Sequence, residues 1–309
     1  MSPFRIHLAL FGAALIYAAT YSLAKDMMPA YILPQAVVVW RIVGAALVFA
    51  LLKRWAAPHE RIAAGADTWR AIACGILGIG LNQLAFFKGL ALTTPINAAL
   101  LQTLTPIVVV LASAALLGER LTPARLLGVG LGTLGAALLI LSRPAAGHAA
   151  ANPLLGNLYL LCNAGVFGLY VVLVGPLMRK YHAFTVLARC FLVGLVVVLP
   201  LGLPDAIATD YGRFTLKIWA ELGYMVVFLT ILAYLLNNWA LKYASPALLG
   251  VYIYLQPVLA VLIAVGLGKD HLTWGKAGQA VLIFVGVWLV SQKPKAAVVP
   301  AVAAEAAPD

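Results

Sequence analysis

Charge is what this chain has least of. Only 10% of its 309 residues are Asp, Glu, Lys or Arg, where a soluble domain carries roughly 25%. That leaves too little polar surface to cover a water-soluble globule. Hydrophobic residues make up 64% and the mean hydropathy is +1.00, so the solvent for most of the chain is lipid. Acids are the scarcer sign, ten against 21 bases, which gives a net charge of +11. A basic excess invites nucleic acid as a partner. Here the bases sit between apolar runs, as in the short loops of membrane proteins, and no nucleic acid is expected. Cysteine is equally sparse. Cys74, Cys162 and Cys190 all lie inside apolar runs, which excludes a disulfide framework or a metal cluster and reads as small buried hydrophobes. There is no H-E-x-x-H, no phosphate loop and no paired-aspartate cluster. No enzyme activity, metal or cofactor is expected. The stretch Gly130-Leu-Gly132-Thr-Leu-Gly135 matches G-x-G-x-x-G, but a dinucleotide site needs a strand before it and a helix opening at it. Inside an apolar run, Gly128, Gly132 and Ala136 read instead as a small-residue stripe for close helix packing.

What the chain does have is a duplication. Residues 93–122 read TTPINAALLQTLTPIVVVLASAALLGERLT, and residues 244–273 read ASPALLGVYIYLQPVLAVLIAVGLGKDHLT. Pro95 and Pro106 match Pro246 and Pro257 with the same spacing, and Gly128 and Pro144 fall opposite Gly278 and Pro294. Such internal repeats decide the fold before any other feature. A hydrocarbon core needs about 20 apolar helical residues to cross it. Ten runs qualify, near 4–24, 32–52, 69–91, 95–117, 124–142, 154–177, 183–203, 216–240, 246–268 and 274–291. The first could mimic a leader peptide, but nine further spans favour a first membrane helix. The expected fold is an all-α integral membrane protein. Residues 1–142 form the first five-helix repeat, 143–153 a Pro/Gly/Ala linker and 154–292 the second repeat. The tail 293–309 is expected to be disordered and cytoplasmic.

Five spans per repeat is an odd number, so the second repeat enters from the opposite side and the repeats are inverted. Tyr17 falls opposite Phe167 and Arg41 opposite Arg189, which extends the register across each half. Ten spans put both termini on one side. With the termini inside, the inner set is Arg5, Lys53, Arg54, Arg61, Arg70, Arg120, Arg125, Arg179, Lys180, Lys242, Lys293 and Lys295. The outer set is smaller, Lys25, Lys88, Arg143, Arg213, Lys217, Lys269 and Lys276. The bias favours cytoplasmic termini.

Paired interruptions in two repeats are the best sequence pointer to a midplane site. Pro106 and Pro257 lie mid-span at matched positions, and each frees the carbonyl four residues back, Gln102 and Ile253. A packing kink without function is the alternative. Polar residues gather nearby on six spans: Tyr17 and Tyr21; Asn82 and Gln83; Asn97, Gln102 and Thr105; Asn163 and Tyr170; Asn237 and Asn238; Tyr252 and Gln256. Any one of them alone reads equally as interhelical hydrogen bonding, at about 0.6 kcal/mol per contact. As a group they point to a polar cavity. Arg41 lies about 13 Å into its span, near the midplane, where a charge costs about 2.5–3.5 kcal/mol unless it meets water or a partner. It is the sharper candidate, because Arg189 lies nearer a span end and can reach the interface. The carboxylates Asp26, Glu119, Glu221 and Asp270 all fall near span ends. No proton-exchanging acid is visible deep in a span, and Glu221 and Glu119 are the two that would matter if they lay deeper.

The mid-helix proline, apolar run, Gly118-Glu119-Arg120-Leu121-Thr122 and Gly128 resemble the EamA-type drug/metabolite transporters. The second copy, Gly268-Lys269-Asp270-His271-Leu272-Thr273, departs by Asp for Glu. The resemblance covers residues 5 to about 292. It implies ten helices in two inverted repeats, a central cavity lined by helices 1–4 and 6–9, and helices 5 and 10 outside. It further implies alternating-access movement of a small metabolite, by a secondary carrier or facilitator, most often export of amino acids or related solutes. The expected partners are that solute and the lipid bilayer, with a homodimer allowed for, and the expected location is the bacterial inner membrane. A membrane-embedded enzyme or an accessory subunit without transport is the competing class.

Overall fold

The computed structural model describes residues 3–119, 121–142, 150–241, 243 and 246–292. The tail 293–309 and most of the linker lie outside the described residues, and so do the side chains of Asn237 and Asn238. Among the described residues every regular element is helical. In chain order these are α1 (Pro3–Met27), α2 (Pro34–Ala56), α3 (Ala66–Leu92), α4 (Pro95–Leu117), α5 (Pro123–Leu141), α6 (Pro153–Lys180) and α7 (Ala183–Ala208). A short 3-10 turn, Tyr211–Arg213, leads into α8, which runs through Leu216–Gly223, Tyr224–Leu232 and Ala233–Leu241. Then come α9 (Pro246–Gly266) and α10 (Trp274–Ser291). Eight of these, α1–α7 and α10, are long and apolar enough to cross a membrane, and α9 contributes a shorter apolar stretch, Tyr252–Gly266.

The duplicated motif is a helix stop followed by a helix start. Gly118 ends α4 at φ 71° and Gly268 follows α9 at φ 64°, the left-handed region where a Cβ is penalised. The threonine that closes each motif then caps the next helix: Thr122 accepts the Arg125 N–H of α5, and Thr273 accepts the Lys276 N–H of α10. Pro123 at the first turn of α5 lacks only a donor that the helix would leave unused. Thr94 before α4, Asn152 before α6 and Thr215 before α8 cap in the same way.

Two pairs of helices, one member from each half, pack antiparallel. α5 lies against α10 with Gly128 at the Gly286 carbonyl and Gly135 at the Gln279 carbonyl, so the start of one meets the end of the other. The small-residue stripe does what its spacing predicts, since a Cβ on Gly128 would come within 2.6 Å of the Gly286 oxygen. α2 and α7 pair in the same sense, with Gly202 against Gln35 and Val39 at one end and Phe49 stacked on Phe191 at the other. Two further sets of contacts are matched: α1 packs on α9 as α4 packs on α6, and α6 packs on α3 as α1 packs on α8.

The outward surface suits lipid. Leu116, Leu117, Leu126, Leu127, Leu216 and Leu262 are all exposed. Trp55 and Trp69 stand exposed at one end and Trp219 and Trp274 at the other, where amphipathic rings settle at headgroup level. The chain is a multi-pass membrane protein.

Candidate functional site

Two helices are wound abnormally at corresponding levels. α3 contains a π-helical stretch at Gly75–Leu81 and α8 another at Tyr224–Leu232. A π stretch places one extra residue in a turn and leaves a carbonyl without its usual partner; such stretches are frequent at functional sites. In α8 the carbonyl of Met225 is served by two donors, the Thr230 hydroxyl at 2.8 Å and Arg41 Nε at 3.3 Å.

Arg41 is the centre of this seam. It comes from α2, is 6% exposed, and donates Nε also to Thr230 Oγ1 at 3.1 Å and Nη1 to Gln83 Oε1 of α3. Its guanidinium lies over the Phe87 ring at 4.8 Å. Hydrogen bonds from a charged donor are worth about 1.5–3 kcal/mol each. The Nε–H shared between Met225 and Thr230 and the Nη1–H to Gln83 are together of the size of the cost of about 2.5–3.5 kcal/mol for an arginine at helix centre. The charge is therefore stably held, with a planar fork that lysine cannot reproduce. Arg189, its counterpart in the repeat, is exposed. The two halves use this position differently.

The seam continues through Gln83 to Asn82 Oδ1 at 3.3 Å, and Asn163 of α6 donates to the Asn82 carbonyl at 2.7 Å. Tyr170, also on α6, stacks on Phe167 and covers Gly78, where a Cβ would fall 2.2 Å from its ring. α2, α3, α6 and α8 thus meet through Arg41, Gln83, Asn82, Asn163 and Tyr170. The Asn163 Oδ1 is buried without a hydrogen-bond partner.

The other expected site residues have surroundings of their own. Tyr21 meets Phe86 edge-on at 5.7 Å. Asn97 sits in the first turn of α4, its N–H on Thr94 and its Oδ1 buried without a partner. Tyr252 bonds His7 at 2.8 Å near the start of α1. Tyr17, Gln102, Thr105 and Gln256 are partly exposed.

The two prolines differ. Pro106 divides α4 into Pro95–Gln102 and Thr105–Leu117, and the Gln102 carbonyl accepts the Thr105 hydroxyl at 3.0 Å. Pro257 lies inside a helix that runs unbroken from Pro246 to Gly266.

Sequence reasoning missed the π stretches and the burial of acids near helix ends. Glu221 is 5% and Asp270 1% exposed. The i,i+4 spacing of Lys217 and Glu221 was the available signal for the first, and the position of Asp270 in the repeated motif for the second. Among the described residues no group of three His, Cys, Asp or Glu could hold a metal.

A bundle of apolar helices with matched contacts between its halves and a buried polar seam defines a multi-pass membrane protein. The chain belongs to the EamA-like transporter family, whose sequence profile matches residues 4–141 and 154–292. It is 24% identical over 292 residues to the uncharacterized transporter YyaM of Bacillus subtilis (strain 168), covering 94% of this chain and 95% of that one. It is 28% identical over 221 residues to a probable terminal-alkyne amino-acid exporter of Streptantibioticus cattleyicolor, covering 71% and 72%. A crystal structure 23% identical in sequence shares the fold at a TM-score of 0.59, covering 94% of this chain and 97% of that one.

Proposed function

We propose that this transporter is a secondary carrier or facilitator that moves an amino acid or related metabolite out of the cell by alternating access, and that it is not an enzyme. Residues 1–142 and 154–292 act as two inverted five-helix repeats joined by 143–153. All ten helices cross the plasma membrane, the bacterial inner membrane, and both termini are cytoplasmic. The observation that carries this proposal is the antiparallel pairing of α5 with α10 and of α2 with α7, together with π stretches at matching levels of α3 and α8. Inverted halves give one chain two related conformations, each open to a different side. The unequal use of Arg41 and Arg189, and of Pro106 and Pro257, is what a single conformation of such a pair looks like.

The solute site proposed here lies along Arg41, Asn82, Gln83, Asn163 and Tyr170. Tyr17, Tyr21, Asn97, Gln102, Thr105, Tyr252 and Gln256 complete the proposed lining on the flanking helices. A buried cation with amide neighbours suits the carboxylate and polar groups of an amino acid. The name of the Streptantibioticus relative supports that solute class and the direction. Counterflow of labelled amino acids in proteoliposomes is the test. Flux above empty liposomes that Arg41→Ala abolishes supports the proposal; no flux of any amino acid or related metabolite from folded protein rejects it.

A further inference from the structure

At the end of the molecule where α1 finishes and α8 begins, charged side chains from both halves converge. Asp26 of α1 accepts Lys217 of α8 at 2.8 Å and Lys269, just beyond α9, at 2.7 Å. Lys269 also donates to the Ser22 carbonyl at 2.9 Å. Its neighbour Asp270 accepts the Ile96 N–H of α4 at 3.1 Å and Lys276 Nζ of α10 at 2.8 Å. These ties bind the end of α9 to α1 and to α4, across the two repeats. At the opposite end Lys180 of α6 bonds Asp67 of α3, which matches Asp26 with Lys217. There the position matching Asp270 is Glu119, which is 49% exposed and pairs at 3.7 Å with Arg125 of its own repeat. One end is latched between repeats at the α9 terminus; at the other, the matching acid turns to its own half.

Glu221 sits inside the latched end. It lies in the second turn of α8, buried, and neither carboxylate oxygen has a hydrogen-bond partner. The charged groups that face it are Lys217, Nζ 3.7 Å away on the same helix, Asp26 on α1, and Lys269 beyond α9. Both ammoniums already bond Asp26. A second bare carboxylate buried beside Asp26 is doubly disfavoured, by desolvation and by like charge. A proton taken from water removes that charge and gives Glu221 an O–H to donate, leaving Asp26 alone between two lysines. Loss of the proton restores the repulsion and draws Lys217 away from Asp26.

We propose that Glu221 is a proton-binding site set in the gate that closes this mouth, so that its protonation holds α8 and α9 onto α1 and its deprotonation opens the mouth to water. This rests on the transporter function proposed above, but its test needs no solute. Ser22 lies beneath the latch, fully buried. Ser22→Cys is introduced into the full chain with Cys74, Cys162 and Cys190 replaced by alanine, and labelled by an impermeant maleimide in proteoliposomes. Rates are taken relative to Arg213→Cys, an exposed position in the turn before α8 on the same face as Ser22, to cancel the pH dependence of the thiol itself. The relative rate is expected to rise about tenfold between about pH 5.5 and about pH 8.5, because a carboxyl buried beside another carboxylate gives up its proton only at the alkaline end. Glu221→Gln is expected to hold the low-pH rate throughout, and Glu221→Asp to keep the pH dependence. Asp26→Asn and Lys269→Met are each expected to label fast at every pH. A flat profile for the parent protein, or an unchanged profile in Glu221→Gln, overturns the proton site. Slow labelling of both Asp26→Asn and Lys269→Met overturns the gate. Absent flux in the separate counterflow assay counts against the transport function and leaves these labelling outcomes intact.

Discussion

A methyl group on Gly286 tests how the outermost helices are joined. Its Cβ would stand 2.5 Å from Gly132 N, 2.6 Å from Gly128 O and 2.8 Å from Gly132 Cα. All three are backbone atoms of α5, so no side chain can rotate aside. Carbon contacts are comfortable from about 3.5 Å, so the helices must part locally by about 1 Å, enough to forfeit a quarter to a half of each neighbouring dispersion contact. Overpacking of this kind costs about 1–3 kcal/mol, and rigid backbone partners place it at the upper end. Alanine returns about 0.5–1 kcal/mol through its helix preference. The net expectation is a loss of about 2 kcal/mol. Gly130, on the same contact helix, has nothing within 4 Å of its Cβ position, so Gly130→Ala keeps the gain without the clash. Thermal unfolding of the purified variants in detergent should therefore shift in opposite directions. Transport per inserted molecule should be unchanged in both, because α5 and α10 contribute nothing to the Arg41 seam. A Gly286→Ala protein that melts at or above the parent temperature would falsify the close backbone contact.

Three further outcomes are expected. Arg41→Ala should cut flux per inserted molecule far more than it cuts stability, which should fall by about 1–3 kcal/mol for the orphaned Gln83 oxygen; Arg41→Lys should not restore flux, and normal transport by a correctly inserted Arg41→Ala would remove Arg41 from the site. Pro106→Ala and Pro257→Ala should hold or raise the melting temperature while lowering flux, because each restores a backbone donor; a pair of variants that are unstable yet fully active per folded molecule would reduce both prolines to packing. His59→Cys, in the exposed α2–α3 loop, should resist an impermeant thiol reagent added outside intact cells, and labelling there would reverse the proposed orientation.

The helices were legible because lipid demands long apolar runs: the expected spans 95–117 and 274–291 coincide with Pro95–Leu117 and Trp274–Ser291. The repeated motif was legible for a local reason, a left-handed glycine and a threonine cap at each copy. Arg41 was legible because a charge mid-span has so few explanations. Its partners were not, because a π stretch is set by how neighbouring helices pack. Tyr224–Leu232 has neither glycine nor proline to announce it. The unequal prolines have a cause visible only in the bonds. Thr103 and Thr105 donate their hydroxyls to the Leu100 and Gln102 carbonyls and so stabilise the break in α4. α9 places Tyr254 and Gln256 at those positions and continues through Pro257. The burial of Glu221 was hidden because position near a helix end says nothing of what covers it.

The two π stretches share a shape without sharing residues. Each is an α-helix carrying a surplus residue, and the surplus falls at the same level in α3 and α8. One reads GILGIGL, with three glycines, and the other YMVVFLTIL, with none. The same winding is therefore held by different side chains, so its cause lies in the neighbours each helix packs against and a change in those neighbours is the route by which either turn would revert to α.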